Sequence, residues 1–308
     1  MMNGRYELVN GDCVEEVAKL DSESVHYWIF SPPFLSLYTY SDSPRDMGNC
    51  STDEEFYTHF KFLATELYRT LKPGRVMSFH CMNLPFSKER DGFIGIKDFR
   101  GMMIKLFQEC GFIFHSEVCI WKDPVTAMQR TKALGLLHKQ IKKDSCMSRQ
   151  GIPDYLVTMR KPGENLEPVT HTNESFPVDL WQQYASPVWM DIKQSNTMQK
   201  GSARENEDER HICPLQLDVI ERGILLWTNP GDIVATPFGG IGSEPFTAVK
   251  LDRKAWAVEL KKSYFEQMVR NMANLDTGQN VIDFGDYEEP EMLHDEIEDE
   301  PKVKKGKK

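Results

Sequence analysis

Hydrophobic and polar positions along the chain follow two periods. Seven short runs read as strands: Tyr6 to Val9, His26 to Phe30, Arg75 to His80, Phe112 to Trp121, Asp154 to Arg160, Asp232 to Thr236 and Ala255 to Glu259. Between most of them apolar residues recur every three or four positions. Glu54 to Leu71 puts Phe56, Phe60, Leu63, Leu67 and Leu71 on one face, with Thr52 and Glu55 spaced as a capping box and KPG (Lys72 to Gly74) as the stop. Asp98 to Cys110 repeats the pattern with Phe99, Met103, Leu106 and Phe107, closed by Gly111. Pro214 opens a further helix that aligns Leu217, Ile220 and Ile224, and NPGD (Asn229 to Asp232) leads from it into the next strand. Strands alternating with helices predict an α/β fold, a doubly wound and mainly parallel seven-stranded sheet.

Three segments break the rhythm. Residues 122–153 are polar and weakly periodic, and residues 161–212 read as loops around ENLEPVTHTNESFPVD and GSARENEDERH. From residue 276 an acidic run, EEPEMLHDEIEDE, gives way to PKVKKGKK, the composition of a disordered tail. The organisation expected is one domain over residues 1–275, interrupted by an insert around 122–153, followed by a charged tail over 276–308. With 308 residues, 40% of them hydrophobic, the chain can bury a sizeable core. It has no run of about 18 uncharged apolar residues, and MMNGRYELVN lacks the apolar stretch of a signal peptide. A cytoplasmic protein with no membrane partner is expected. Seven cysteines without a CxxC pair argue against a disulfide framework or structural zinc and predict reduced core thiols.

A net charge of −10 disfavours a nucleic-acid partner, because such binding neutralises phosphates. Its distribution changes that picture. Nine basic residues (Lys122, Arg130, Lys132, Lys139, Lys142, Lys143, Arg149, Arg160 and Lys161) face three acids between Lys122 and Lys161. The segment is either a solvated face or a phosphate-binding insert, with Lys139, Lys142 and Lys143 as the candidate contacts.

Two stretches carry candidate chemistry. DIVATPFGGIGSEPFTAV has the form strand, glycine-rich turn, helix, and Gly239, Gly240 and Gly242 let the backbone approach a ligand closely. Pro245 stands where a third dinucleotide-type glycine would fall. Glu259 ends the next strand, placed to accept from ribose hydroxyls, so an adenosine-containing cofactor fits, either NAD or S-adenosyl-L-methionine. In VHYWIFSPPF a strand runs into Ser31, Pro32, Pro33 and Phe34. Neither proline can donate to a sheet, so the strand stops in a stiff extended turn. That turn offers the Ser31 hydroxyl and the Pro32 carbonyl as acceptors and the Phe34 ring as a platform, a set suited to a flat ring bearing an NH2 group. A proline-ended strand with an aromatic core residue is the plainer reading of the same residues.

The two stretches together resemble the amino-group DNA methyltransferases of the N4-cytosine/N6-adenine type, in the permuted order with the target-base motif first. Ser31 to Phe34 match that family's (S/N/D)PP(Y/F/W), and TPFGGIG (Thr236 to Gly242) matches its DPFxGxG apart from Thr236 at the leading Asp. GDC at Gly11 to Cys13, LKPG at Leu71 to Gly74, Glu259 and HICPLQL from His211 fall in corresponding places, and His26 stands where an Asp is usual. The resemblance runs from Tyr6 to about Asn274 and is strongest to stand-alone bacteriophage enzymes.

What the resemblance implies is methyl transfer from S-adenosyl-L-methionine to the exocyclic amino group of a flipped DNA base, with N4 of cytosine favoured over N6 of adenine by the serine-led motif. Ser31 and Pro32 would hold the amino group and Phe34 the base. Asp12 would reach the cofactor adenine, Glu259 the ribose, and the loop from Phe238 through Gly240 and Gly242 to Ser243 the methionine part. Tyr38 and Tyr40 lie in an expected flap. No cysteine nucleophile is implied, so Cys13 and Cys81 are expected to pack, and His80, His115 and His138, which lack metal-ligand spacing, to be structural. An NAD-dependent oxidoreductase shares the glycine turn and Glu259 but leaves SPPF and the basic segment without a role. A non-catalytic DNA-binding protein on the same fold is the reading that Thr236 favours.

Overall fold

The computed structural model describes residues 4–35, 45–86, 88–124, 142–147, 150–198 and 214–277. An eight-stranded sheet runs β1 (Tyr6–Asn10), β10 (Lys254–Glu259), β9 (Ile233–Thr236), β2 (Val25–Phe30), β3 (Leu71–Met82), β7 (Asp154–Arg160), β6 (Ile113–Ile120), β8 (Val188–Trp189). The first five are mutually parallel, and β7 lies antiparallel between β3 and β6. Beside the sheet, β4 (Leu84–Phe86) and β5 (Gly95–Lys97) form an antiparallel pair. All seven strands expected from the pattern are present, and the two-residue β8 joins β6 as an eighth.

β2 shows why the sheet is central. Nearly all of it is buried, as in a strand covered on both faces. Trp28 and Phe30 point into a core shared with α1 (Cys13–Ala18), α2 (Asp53–Thr70) and α4 (Phe99–Glu109), where Phe56, Phe60 and Phe107 pack. Tyr27 and Ile29 point into the opposite core, under α6 (Leu217–Trp227), α7 (Ser243–Lys250) and α8 (Lys262–Thr277), with Ile220, Phe246 and Met268. Two shorter helices are α3 (Lys88–Asp91) and α5 (Val178–Tyr184).

Local signals set the boundaries. Thr52 Oγ1 accepts from the Glu55 amide at 3.1 Å, while the Glu55 carboxylate reaches past it to the Ser51 amide at 2.7 Å. α2 ends at Thr70 and the chain enters β3 at once, so KPG lies within the strand rather than before it; Gly74 (φ +71°) takes its bend there because Asn165 packs against it too closely for a Cβ. α6 begins at Leu217, not at Pro214, because the Leu217 amide is tied to the Asn196 carbonyl at 2.9 Å and Gln216 is extended.

Residues 161–212 are not all loop. Trp189 is buried, its indole N–H donates to the Tyr184 carbonyl at 3.2 Å, and its own carbonyl accepts from the Trp121 amide, which anchors α5 and β8 to the sheet. Residues 276 and 277, assigned to the tail by composition, end α8. Residues 278–308, Tyr38, Tyr40, Lys139, His138 and residues 211–213 lie outside the described residues. Among the described residues no helix is long and apolar enough to cross a membrane.

Candidate active site

The parallel registers bring the two sequence motifs to one edge. Asn10 lies opposite Glu259, Ala257 opposite Thr236, Trp28 opposite Ala235 and Phe30 opposite Phe79. The carboxyl ends of β1, β10, β9, β2 and β3 therefore deliver Asp12, Glu259, the loop 237–242, Ser31 to Phe34, and His80 side by side. Between β9 and β2 the succession of strands turns in opposite directions, toward β10 on one side and β3 on the other. A crevice at such a switch point is where open α/β sheets bind ligands.

The glycines of the loop do two different jobs. Gly242 (φ +98°) leads into α7, and a Cβ there would meet Met268 Cγ at 2.9 Å, so close helix packing requires glycine. Among the described residues nothing lies within 4 Å of where a Cβ on Gly240 (φ +51°) would stand, so its backbone is uncovered by them. Its amide donates to Glu259 Oε2 at 2.8 Å, and the Lys261 amide donates to Oε1 at 2.8 Å. Each oxygen keeps capacity for a further donor. Thr236 Oγ1 accepts from the Phe238 amide at 3.4 Å, the turn contact that an Asp in its place would make with a carboxylate.

Phe238 stacks on Phe60 (6.2 Å, 26°) and tilts against Phe30 (5.9 Å), which pins the loop to the core. Burial pushes the Glu259 carboxyl up to about 7 and that of Glu244, in the first turn of α7 beside Ser243, up to about 8. Asp12 caps α1, its Oδ1 accepting from the Val14 and Glu15 amides at 2.9 and 3.2 Å.

At the end of β2, Pro32 and Pro33 are buried and Ser31 and Phe34 half-buried. Phe34 packs edge-on against Phe99 (5.8 Å) and His80 (6.4 Å). Leu35, buried, takes φ +52°, a strained value for a branched side chain. Ser31 Oγ lies 3.1 Å from His80 Nδ1. His80 Nε2 lies 3.1 Å from Asp154 Oδ2, and Lys122 Nζ 2.5 Å from Asp154 Oδ1; both are close polar contacts bent from ideal hydrogen-bond lines.

His80 is thus not merely a packing residue. Spacing alone conceals it, since 49 positions separate it from Ser31. The available signal was that His80 lies near the end of the strand next to the one that runs into Ser31. Asp154 enters from the start of antiparallel β7, opposite Met82. Although burial raises the Asp154 carboxyl, Lys122 and His80 together hold it below its usual range.

Other candidates resolve differently. Burial pushes the Cys13 and Cys81 thiols up, away from a reactive thiolate. Cys146 is exposed, against the expectation of core thiols, because it lies on a short turn at the surface. His115 bonds Ser116 and abuts Trp227. Lys142 and Lys143 are exposed.

A second polar cluster sits at the amino ends of the strands. His26, Glu167 and Asp232 bring their ligand atoms within 4.8 Å of one another. There the Ile233 amide donates to His26 Nδ1 at 3.1 Å, Glu167 Oε2 lies 2.9 Å from His26 Nε2, Lys72 pairs with Glu167 at 2.5 Å and Arg75 pairs with Asp232. Two side-chain cations already neutralise the carboxylates.

The chain is similar to several known DNA methyltransferases. The chain is 22% identical over 279 residues to the DNA adenine methyltransferase YhdJ of Escherichia coli (strain K12), an alignment that takes in 86% of this chain and 82% of YhdJ. It is also 22% identical over 275 residues, 85% of its length, to the type II methyltransferase M.BslI of Bacillus sp. (strain NEB-606). A 67-residue match to M.BglII of Bacillus subtilis is 39% identical. The chain spans 27% of M.BslI and 19% of M.BglII.

Among solved structures, TTHA0409 of Thermus thermophilus, complexed with S-adenosyl-L-methionine, superposes with a TM-score of 0.67 at 21% identity, covering 91% of this chain and 99% of that one. The cytosine-N4-specific PvuII DNA methyltransferase gives 0.59 at 16% identity, covering 90% and 94%. These likenesses show the fold. The family described as DNA methylase, of N6/N4 type, matches residues 25–270, and this chain belongs to it.

Proposed function

We propose that the chain is a DNA methyltransferase that uses S-adenosyl-L-methionine to methylate the exocyclic amino group of a base turned out of the DNA, with N4 of cytosine as the target. The observation that carries this is the adjacency of the Ser31–Phe34 turn and the Gly240 loop at one switch point. The uncovered backbone at Gly240 and the unused acceptor capacity of Glu259 suit an adenosyl cofactor: Glu259 would take the ribose hydroxyls, the backbone of 238–243 the methionine part, and Asp12 the adenine side. When bound, that cofactor supplies an electrophilic methyl group.

The chain's own residues prepare the amine. An aromatic amino group is a weak nucleophile because its lone pair is delocalised into the ring. Acceptors at Ser31 Oγ and the Pro32 carbonyl hold its N–H bonds and localise that pair, while Phe34 contacts the base. The exposed Lys142 and Lys143, with Lys139, would meet phosphate, and the insert around 122–153 would supply recognition. Adenine is the second reading, favoured by the likeness to YhdJ over most of both chains.

The test is incubation with labelled S-adenosyl-L-methionine and unmethylated DNA, followed by mass spectrometry of the nucleosides, alongside Gly240→Trp. The expected product is N4-methylcytosine, lost in the variant together with cofactor binding measured by calorimetry. N6-methyladenine alone moves the assignment to the second reading. No methylated base at all overturns the proposal.

A further inference from the structure

The Ser31 turn is backed by a line of polar groups that no part of the motif announces. His80 touches Ser31 through Nδ1 and faces Asp154 through Nε2, and Asp154 in turn faces Lys122. His80 and Asp154 are buried, so their charges and protons are poorly solvated and their partners decide them. We propose that His80 is the positioning residue of the transfer: at rest it accepts the hydrogen bond of the Ser31 hydroxyl, which leaves Ser31 Oγ an acceptor for the target amine, and during transfer it receives, through Ser31, the one proton that the methylated amine must shed. This rests on the methyltransferase reading above.

The orientation follows from electrostatics. A carboxylate facing Nε2 favours the tautomer with its proton on Nε2, which leaves Nδ1 as the acceptor. The Ser31 O–H then points to Nδ1. In the transfer the amine lone pair forms the N–CH3 bond, and the S–CH3 bond breaks with its electrons remaining on sulfur. One N–H proton passes to Ser31 Oγ as the Ser31 proton passes to His80 Nδ1. The imidazolium so formed faces Asp154, whose negative charge stabilises it. Lys122 holds the carboxylate in place from its other oxygen. A consequence for base choice is that the Ser31 hydrogen is committed to His80, so Ser31 offers the base an acceptor only.

Single-turnover methylation separates this from a packing role. His80→Gln, which keeps an acceptor but not a base, is expected to slow transfer about a hundredfold with cofactor and DNA affinities unchanged. Adding His80→Gln to Ser31→Ala should cost nothing further, because the two act in series. Independently of activity, nitrogen-15 NMR of the histidines should find His80 protonated at Nε2 in the wild type, with that preference lost in Asp154→Asn. A His80→Gln rate within about threefold of wild type, multiplicative losses in the double variant, or an Nδ1-protonated wild type would each overturn the inference. A wild type that methylates no DNA would instead sink the methyltransferase reading, and the NMR result would still decide the tautomer.

Discussion

The two ends of strands β2 and β3 carry nearly the same side chains and put them to different use. At the amino end His26, Glu167, Asp232, Lys72 and Arg75 close on one another. At the carboxyl end His80, Asp154 and Lys122 form a similar line, but it leads to a half-buried hydroxyl beside a glycine loop whose backbone the described residues leave uncovered at Gly240. Residue type therefore does not separate a clasp from a site. What separates them is hydrogen-bonding capacity left over, and its place at the end of the strands where the sheet's connections diverge.

The contrast is broken most directly at Asp232. Replacing it with alanine leaves the Arg75 guanidinium buried without its carboxylate, and the expected loss of stability is about 3–5 kcal/mol. Cofactor affinity of the fraction that remains folded should not change. Denaturant unfolding and calorimetry check both halves. An Asp232→Ala protein of native stability that no longer binds the cofactor would place function at the wrong end.

The carboxyl end should respond to pH instead. Glu259 and Glu244 hold their protons up to about 7 and about 8 because burial disfavours their charge. A cationic cofactor binds better to the ionised carboxylates, so affinity should rise with pH through these values, by up to about tenfold per unit for each proton released. S-adenosylhomocysteine, which lacks the sulfonium charge, should show a shallower rise. Equal or flat profiles for the two ligands, read by calorimetry between about pH 6 and 9, would contradict this.

The smallest effect concerns the basic segment. Changing Lys139, Lys142 and Lys143 together to glutamine should flatten the dependence of DNA affinity on salt by about 0.9 unit for each phosphate contact removed. An unchanged slope, measured by fluorescence anisotropy, would make these residues a solvated face.

Seven strands were legible because each is an apolar run bounded by turn residues, whereas β8 has only two residues, Val188 and Trp189, too few to show a period. The open backbone at Gly240 could be anticipated from glycine itself. His80 and Asp154 could not be paired in advance, because a line of polar contacts across β2, β3 and antiparallel β7 depends on strand order, which local pattern does not encode. The start of α6 departs from the sequence pattern for a related reason: its first amide is set by Asn196, a tertiary contact that overrides the local preference of Pro214.

The sheet order also bears on how the chain is made. β1 has β10 as its sheet neighbour, and Asn10 bonds to Glu259 across 249 positions, while β2 meets β9 through the similarly distant pairs Tyr27 with Val234 and Trp28 with Ala235. Contacts of such long separation form slowly, since the intervening chain must first be brought together. During synthesis β1 waits without a partner and β2 keeps one edge open until residues 233–259 have left the ribosome. Unpaired edges of this kind template aggregation. The last strands to emerge close those edges and, in the same step, bring the glycine loop to Ser31, so an unfinished chain has neither a protected sheet nor a site.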